Sequence, residues 1–371
     1  MTTHQALFLS STTTPPTLQK LPKPTATAGT AIVRVLAVTV VPYMNEILSG
    51  VRPYPLSFPL IPGGTAIARI DSVGPDSVSL KPGQLVFCDV TIRARDDPDV
   101  QILLGIHGGG YPAAQRLMDG EWRNATWAEF AKFPLENLYA INENVVCNDL
   151  GYSVEELTTL AICAVPFGGL SAVRVGPGDS VIIAPATGYY GGAAVTVAMA
   201  MGCRVIAAGR NKARLDALAT VYGETGRLIS VLLTGDEETD SAALKSATRS
   251  PKGADAYIDF SPPQAGKSTH IVAALGALRP KGNAVFMGGI PGRIEIPYSM
   301  LMFKNLTIQG RFMFERKDVE KLIRYVENGI LQLGQDIGMM NFRSFGLKEW
   351  ENAVNAAKEQ KGWGSQVLLR P

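Results

Sequence analysis

Short apolar runs separated by polar turns occupy the first 150 residues of the chain. The runs at 31–38, 66–73 and 85–90 are rich in β-branched residues, and a glycine or proline turn borders each of them. This pattern predicts β-strands joined by loops. A long segment between Arg93 and Asn124 interrupts it before a strand-like pattern returns. The first part of the chain is therefore predicted to be a β-rich domain.

From about residue 150 the apolar pattern changes to alternating strands and helices. Strands are predicted at 181–184, 204–208, 256–260 and 283–287, and helices at 154–175, 193–201, 212–222 and 265–278. Such alternation favours a parallel sheet with helices on both faces. Beyond Lys304 the chain returns to the style of its first part. We therefore predict an α/β protein with a doubly wound domain at 150–304 and a β-rich domain formed by 1–149 and 305–371.

Composition and charge exclude several classes of protein. Of the 371 residues 46% are hydrophobic and 18% are charged, which suits two packed domains and excludes long disordered stretches. The net charge is +2, and no block of Lys and Arg forms a stripe for nucleic acid or a membrane surface. We find no secretory signal and no apolar run long enough to cross a bilayer. Four widely spaced cysteines suit a reducing compartment, so we predict a cytoplasmic protein.

A glycine-rich turn follows the predicted strand at 181–184 and leads directly into a helix. Gly188 and Gly191 are spaced as the last two glycines of a GxGxxG turn, and Ala186 stands at the first position. Such a turn lets the backbone approach a pyrophosphate, which sits at the helix N-terminus where N–H groups and the helix dipole favour anions. Its position between a strand and a helix indicates a dinucleotide-binding site.

The residues after the next strand distinguish between the two nicotinamide cofactors. A carboxylate there binds the ribose 2′-hydroxyl of NAD, but this strand ends in Gly209 and Arg210, with Lys212 two residues later. Gly209 has no side chain and leaves room for a 2′-phosphate, and the positive charges of Arg210 and Lys212 can bind that phosphate. The sequence therefore predicts NADPH as the cofactor. The alternative interpretation is that Arg210, Lys212 and Arg214 only form the solvated start of a helix.

Several motifs, found in one order along nearly the whole chain, resemble the medium-chain dehydrogenase/reductase superfamily in its zinc-free quinone-oxidoreductase and enoyl-reductase branch. Together they are more specific than any one of them alone. The matching segments are 41–50, 58–65, 73–74, 81–86, 128–130, 176–181 and 364–368.

This resemblance implies a GroES-like catalytic domain made of both chain ends, a Rossmann cofactor domain inserted between them, and a homodimer. It also implies which residues contact NADPH. Those residues are Thr187, Gly188, Tyr190 and Gly191 at the pyrophosphate, Gly209, Arg210 and Lys212 at the adenosine phosphate, and Gly288 and Gly289 beside the nicotinamide.

The chain departs from the zinc-dependent members of the superfamily at their metal ligands. Those members place a cysteine where this chain has Val41, and a His-Glu pair where it has Gly64 and Thr65. The segment from Arg93 to Asn124, where a structural zinc lobe is expected, has no cysteine. Zinc sites in proteins need clustered Cys, His or carboxylate ligands, and we therefore predict that no metal is bound.

Tyrosines near the vacant metal position are the candidate proton donors. Tyr54 lies close to where enoyl-thioester reductases of the superfamily carry a catalytic tyrosine, and Tyr43 and Asn45 lie beside the vacant position. For each tyrosine the alternative is a packed aromatic ring with its hydroxyl in solvent. His107 opens a run of three glycines that imitates an esterase oxyanion loop, but the chain has no GxSxG elbow. We expect that run to be a flexible loop or a lid.

The function predicted from these residues is reduction by NADPH, without zinc, of an activated C=C bond or a quinone-like small molecule. Hydride goes to the electron-poor carbon, and a tyrosine or water protonates the other end. Two alternatives remain open at this point: reduction of a C=O or C=N bond, and binding of NADPH without turnover.

Overall fold

The computed structural model describes residues 2–360 and 362–371 and divides the chain into two compact units. The first unit comprises Met1–Ala161, Met340–Lys361 and Ser365–Pro371, and the second comprises Ile162–Met339 and Gly362–Gly364. Segments near both ends of the chain therefore contribute to the first unit.

A largely antiparallel sheet of seven strands forms the centre of the first unit. Its strands are β3 (Thr30–Thr39), β4 (Ala66–Val73), β5 (Leu85–Cys88), β8 (Phe130–Pro134), β9 (Leu138–Ala140), β16 (Asn341–Gly346) and β17 (Ser365–Arg370). Two hairpins accompany it, β1 (Thr3–Phe8) with β2 (Thr17–Pro22), and β6 (Thr91–Arg93) with β7 (Gln101–Leu103). Apolar residues of β3 and β4 are buried on both faces of the sheet.

The second unit is built on a parallel sheet of six strands in the order β12-β11-β10-β13-β14-β15. Its strands are β10 (Ser180–Ala184), β11 (Arg204–Gly209), β12 (Leu228–Leu232), β13 (Ala254–Asp259), β14 (Leu278–Phe286) and β15 (Thr307–Gly310). The order reverses between β10 and β13, and ligands of open α/β sheets bind outside the carboxyl ends of the strands at such a reversal. The turn after β10 and the turn after β13 both lie at this edge.

Eleven helices are described in residues 2–360 and 362–371. They are α1 (Met44–Leu48), α2 (Pro112–Asp119), α3 (Val154–Leu157), α4 (Thr159–Ala172), α5 (Tyr189–Ala200), α6 (Lys212–Tyr222), α7 (Glu237–Ser246), α8 (His270–Gly276), α9 (Tyr298–Lys304), α10 (Arg316–Glu327) and α11 (Trp350–Glu359). Local signals explain several of their ends. Ser153 and Glu156 form a capping box at α3, and the side chain of Asn211 accepts from the backbone N–H of Arg214 at the start of α6.

The borders of the two units differ from the predicted borders at residues 150 and 305. The chain changes unit after Ala161 and again after Met339. The physical reason for the second difference is that β15 pairs in parallel with β14 and becomes the sixth strand of the parallel sheet. The strand assigned by its sequence to the β-rich domain therefore belongs to the second unit.

One stretch of helix in the described part of the chain is long and apolar enough to span a membrane, contrary to the expectation of none. It runs from Val154 to Ala172, and 67% of its apolar window is buried within the protein. A core helix has the same length and composition, so this stretch is no evidence of a membrane span.

Candidate functional site

The turn between β10 and α5 has the backbone geometry that a dinucleotide requires. A Cβ on Gly191 would overlap the carbonyl oxygen of Pro185, so only glycine lets the helix begin this close to the strand. Gly188 is the N-cap residue of α5, and no atom lies within 4 Å of the place where its Cβ would be. The first N–H groups of a helix lack intrahelical partners. The N-terminus of α5 therefore faces open space beside the turn.

The end of β11 lies against this same turn. The backbone N–H of Ala186 donates to the carbonyl of Ala208 at 2.8 Å. A Cβ on Gly209 would lie 3.5 Å from the hydroxyl oxygen of Thr187. The structure therefore brings Thr187, Gly188 and Gly209 together at the carboxyl edge of the sheet, as the sequence predicts for a dinucleotide.

The three cations after β11 have different environments. The side chain of Arg210 is exposed and makes no ion pair with any described residue. Lys212 binds Asp216 one helical turn later, with its Nζ 2.7 Å from Oδ2. The guanidinium of Arg214 lies beside Gly362. Arg210 is thus the cation most available to a phosphate at the end of β11, while Lys212 is engaged along its own helix.

Gly288 and Gly289 lie at the exit of β14, next to the exit of β13. The backbone N–H of Gly289 donates to the carbonyl of Ser261 at 2.8 Å. A Cβ on Gly288 would be 2.5 Å from the Oδ2 atom of Asp259. No atom lies within 4 Å of the Cβ position of Gly289. Close packing on one side and open space on the other fit a backbone segment that borders a ligand.

A buried cluster of polar side chains packs against the segment that contains Gly288 and Gly289. The carboxylate of Asp259 accepts hydrogen bonds from the hydroxyl of Tyr257 at 3.0 Å and from the hydroxyl of Ser261 at 2.5 Å. Because Ser261 gives its one proton to Asp259, its oxygen accepts from Nε2 of His270 at 2.8 Å. The hydroxyl of Ser268 lies 2.6 Å from Nδ1 of the same histidine. Burial, and then the neighbouring carboxylate, raise the pKa of Tyr257 well above its usual value.

This cluster has the residue types of a serine hydrolase triad but not its geometry. In a triad the histidine lies between the carboxylate and the serine and takes the serine's proton. Here the hydroxyl of Ser261 lies between the two and gives its proton to Asp259. The cluster therefore holds the exits of β13 and β14 in place and does not activate a nucleophile.

Aromatic side chains line the same edge of the sheet. The ring of Tyr190 stacks on Phe260 with the two centroids 6.1 Å apart, and Tyr189 meets Tyr190 edge to face at 5.1 Å. Tyr190 therefore bridges the first turn of α5 and the exit of β13. A cavity of about 80 Å³ lies beside the turn and is lined by Thr187, Arg214, Ala217, Leu218, Val221, Gly338 and Trp363.

In the first unit, the candidate tyrosines gather around Arg52. The guanidinium carbon of Arg52 lies 4.2 Å from the ring centre of Tyr43 and 5.6 Å from that of Tyr54. Its Nη1 donates to the hydroxyl oxygen of Tyr54 at 3.4 Å, and its Nε and Nη2 donate to Glu46 at 3.1 and 3.0 Å. Burial lowers the pKa of Arg52, but the hydrogen bonds with Tyr54 and Glu46 outweigh it and raise that pKa overall. Tyr54 and Tyr43 thus share one cation.

His107 joins this group through its ring. The imidazole meets Tyr54 edge to face with centroids 4.5 Å apart, and its Nδ1 accepts from the backbone N–H of Gly109 at 2.9 Å. Burial lowers the pKa of His107. The glycine run after it was expected to be a flexible loop or a lid. In the structure Gly108 is buried and its N–H donates to the carbonyl of Pro55 at 2.6 Å, whereas Gly110 is exposed.

The third candidate, Asn45, lies on the exposed side of α1. Its backbone carbonyl accepts from the backbone N–H and the hydroxyl of Ser49. No described contact links its side chain to the tyrosines. The structure therefore gathers two of the three candidates and leaves Asn45 apart from them.

The positions at which related enzymes hold zinc carry no ligand set here. The backbone groups at Gly64 and Thr65 are used within the fold: Thr126 exchanges hydrogen bonds with Gly64, and the N–H of Thr39 donates to the carbonyl of Thr65. Val41 offers only hydrocarbon. Throughout residues 2–360 and 362–371, no three His, Cys, Asp or Glu side chains come together as a metal site. The side chains present do not fit a zinc ion.

Two groups of residues were missed by the sequence analysis. Arg52 carried no signal because its contacts with Tyr43, Glu46 and Tyr54 depend on the path of the turn that joins them, although all three are near it in the chain. Asp259 and Ser261 end a predicted strand, and polar residues at a strand's carboxyl end, directly before a turn, were a signal that could have found them.

The chain is similar in sequence to known dehydrogenases and reductases. Residues 191–328 match the family model of the zinc-binding dehydrogenases. The probable D-xylulose reductase A of Aspergillus clavatus is 24% identical over 315 residues, which cover 84% of this chain and 80% of that protein.

Solved structures share the fold over the full length. A short-chain alcohol dehydrogenase of E. coli in complex with its cofactor NADH has a TM-score of 0.77 at 17% identity, with 100% of both chains covered. A protein of Sinorhizobium meliloti assigned to the zinc-binding dehydrogenases and bound to NADP has a TM-score of 0.77 at 18% identity, again with 100% of both chains covered. The fold is thus an α/β fold in which a parallel sheet accompanies a β-rich unit.

Proposed function

We propose that this chain is an NADPH-dependent reductase that works without zinc. Its fold and its matched segment resemble those of the medium-chain zinc-binding dehydrogenases and reductases, a superfamily of oxidoreductases. Its substrate would be a small molecule with an activated C=C bond or a quinone-like ring. The observation that carries this proposal is the chemistry of the first unit. Where related enzymes hold a metal, this chain has Val41, Gly64 and Thr65, and Tyr43 and Tyr54 of the same unit both contact the guanidinium of Arg52.

The choice of substrate bond follows from what these residues can do. NADPH, when bound, supplies the hydride. Reduction of an isolated carbonyl is helped by a strong electrophile such as zinc on its oxygen, and the described residues offer no group of three ligands for that metal. An activated alkene or a quinone already carries its electron-withdrawing group, so it needs only hydrogen bonding and a proton. Tyr54 is the proposed proton donor, and Tyr43 is proposed to orient the substrate.

Support for NADPH over NADH comes from the end of β11. No carboxylate follows Gly209, and Arg210 is exposed and without an ion-pair partner among the described residues. A guanidinium binds phosphate through paired hydrogen bonds. We propose that Arg210 holds the 2′-phosphate and that Lys212 contributes less, because it already binds Asp216.

Two alternatives have observations in their favour. Reduction of a C=O or C=N bond remains compatible with hydrogen bonds from Tyr43 and Tyr54 in place of a metal. Binding of NADPH without turnover is favoured by Tyr189 and Tyr190, whose rings crowd the edge of the sheet where the cofactor is proposed to lie.

We also propose that the chain forms a homodimer through the edge of its parallel sheet. β15 is the last strand of that sheet, and an apolar patch beside it is unusually exposed for a monomer. The patch consists of Tyr298 (80% exposed), Met302 (50%), Phe303 (76%) and Phe312 (49%). A monomer in light scattering, unchanged by Phe303→Glu, would contradict this assignment.

A cytoplasmic location and the lack of nucleic-acid or membrane partners remain predictions.

The decisive experiment follows oxidation of NADPH by its absorbance in the presence of enones, quinones, ketones and imines. We expect turnover with enones or quinones and little with simple ketones. Preference for ketones or imines would favour the first alternative. Tight binding of NADPH with no turnover on any acceptor would favour the non-catalytic alternative.

A further inference from the structure

Arg52 is held rigidly with one side of its guanidinium facing Tyr54. Its side chain is only 18% exposed. Glu46 accepts from Nε and Nη2 on one edge, and the ring of Tyr43 covers one face. The remaining nitrogen, Nη1, points to the hydroxyl oxygen of Tyr54 at 3.4 Å. The three contacts fix both the place and the orientation of the cation.

The direction of the hydrogen bond determines what Tyr54 can do. A guanidinium has donors and no acceptor, so the phenol oxygen accepts from Arg52 and keeps its own proton for another group. The ring of Tyr54 is also held by its edge-to-face contact with His107. The geometry therefore prepares the hydroxyl to donate.

We infer that Arg52 is a positioning residue that makes Tyr54 the proton donor of the reduction. This inference rests on the proposed function. NADPH, when bound, would supply a hydride to one end of the substrate's double bond, whose π bond would break as the dihydronicotinamide is oxidised. The O–H bond of Tyr54 breaks, and its proton goes to the other end. The electron pair stays on the phenol oxygen beside Arg52 until water restores the proton.

A competing role for Arg52 is to bind an anionic group of the substrate. Glu46 argues against it, because the carboxylate already takes two of the guanidinium's donors and balances its charge. The two roles predict different kinetics. Loss of an anion receptor raises KM for acidic substrates only, whereas loss of a positioning residue lowers kcat for neutral substrates as well.

The test is a double-mutant cycle on the full chain with NADPH and a neutral acceptor from the screen. General acid catalysis contributes about 10²- to 10⁴-fold, so we expect Tyr54→Phe to lower kcat by about 100-fold. We expect Arg52→Met to lower kcat by about 10-fold with KM changed by less than about threefold. Arg52→Lys keeps the charge and should recover part of that loss. In the Tyr54→Phe background, Arg52→Met should have almost no further effect.

The matched control is Arg69→Met. Arg69 also pairs with a glutamate, Glu143, in the same unit but away from the tyrosines, and its loss should leave kcat unchanged. Circular dichroism and thermal unfolding identify variants that fail to fold, in which case the Arg52→Lys variant carries the comparison. A second readout is the solvent isotope effect on kcat, which should rise in Arg52→Met because proton transfer becomes slower.

The outcomes separate this inference from the proposed function. If the wild-type protein turns over but Arg52→Met costs as much in the Tyr54→Phe background as in the wild type, Arg52 acts independently of Tyr54 and the inference is overturned. If Arg52→Met only raises KM, and only for acidic acceptors, the inference is overturned and Arg52 is instead the residue that binds an anionic group of the substrate. If NADPH binds and no acceptor is reduced, the proposed function itself fails, and the inference fails with it.

Discussion

The indole of Trp363 lies directly on the backbone of Gly192 in the first turn of α5. A Cβ on the glycine would overlap the Cβ and Cγ atoms of Trp363. The indole N–H donates to the carbonyl of Ile337 at 2.8 Å, which fixes the ring in this position. Gly192 is thus needed for close packing against Trp363, while Gly191 is needed for the close turn between β10 and α5.

Gly192→Ala should therefore destabilise the protein. Overpacking a close contact costs about 1 to 3 kcal/mol, and we expect a loss of that size in the free energy of unfolding in urea. Trp363→Gly removes both the Cβ atom and the ring that clash, so Gly192→Ala should cost much less in the Trp363→Gly background. Equal costs in both backgrounds would show that the contact with Trp363 is not the cause.

Arg210→Ala should reduce the preference for NADPH over NADH. A hydrogen-bonded pair of charges contributes about 1.5 to 3 kcal/mol, which corresponds to about a 10- to 100-fold loss of NADPH affinity with little change for NADH. Fluorescence titration with both cofactors measures it. The matched control is Arg249→Ala, since Arg249 is exposed and lies near Arg204, at the opposite end of β11. Equal affinity of the wild type for NADPH and NADH would contradict the assignment of Arg210 to the 2′-phosphate.

Asp259→Asn should disturb both stability and cofactor binding. The carboxylate accepts from Tyr257 and Ser261 in a buried place, and hydrogen bonds to charged groups contribute about 1.5 to 3 kcal/mol. We expect a loss of about 2 kcal/mol in the free energy of unfolding, together with weaker NADPH binding because Gly288 packs on this carboxylate. Tyr257→Phe, which removes one donor only, should cost about 1 kcal/mol. If Asp259→Asn changed neither the free energy of unfolding nor NADPH binding, the supporting role of the cluster would be contradicted.

Stability should fall as the pH drops below the ordinary histidine value of 6.5. Burial lowers the pKa of His107 in the folded state. Burial is also the largest influence on His4, whose pKa is lowered despite the opposing effect of Glu129. The unfolded chain therefore takes up protons that the folded chain does not, so acid favours unfolding.

Urea unfolding between pH 5 and 8 measures this dependence. The His107→Asn variant keeps an acceptor for the N–H of Gly109 but does not titrate in this range, so its stability should depend less on pH than that of the wild type. An identical pH dependence in the variant would show that His107 is not one of the groups responsible.

Removal of metal should leave the activity intact. The described part of the chain offers no group of three ligands, so exhaustive treatment with a chelator should not change the rate of NADPH oxidation. Elemental analysis of the purified protein should find far less than one zinc per chain. Loss of activity on chelation that added zinc restores would overturn the proposed zinc independence.

The local elements of the second unit could be predicted closely from the sequence. α6 spans Lys212–Tyr222 as predicted, and β10 and β11 agree with their predicted ranges to within a residue at each end. In the first unit, β4 spans Ala66–Val73 as predicted. β10 and β11 are almost wholly apolar and buried, so their own residues decide their structure.

Weakly apolar elements were missed. The hairpin strand β2 is mostly polar and only partly buried, and β12 with its alternate exposed residues lies at the edge of the parallel sheet. Strands of this kind form because a neighbour offers hydrogen bonds, and that neighbour is not visible in the local pattern.

The sequence by itself determined the glycine turn at Gly188 and Gly191, the cations that follow β11, and the lack of zinc ligands at Val41, Gly64 and Thr65, because each depends on residue type at a fixed local spacing. Only the tertiary structure decided that β15 joins the parallel sheet, that Asp259 supports Gly288, and that Arg52 faces Tyr54. Those relationships join residues through strand pairing, close packing or a turn whose path is set by its surroundings. Their free energy comes from contacts that form only when the chain has folded.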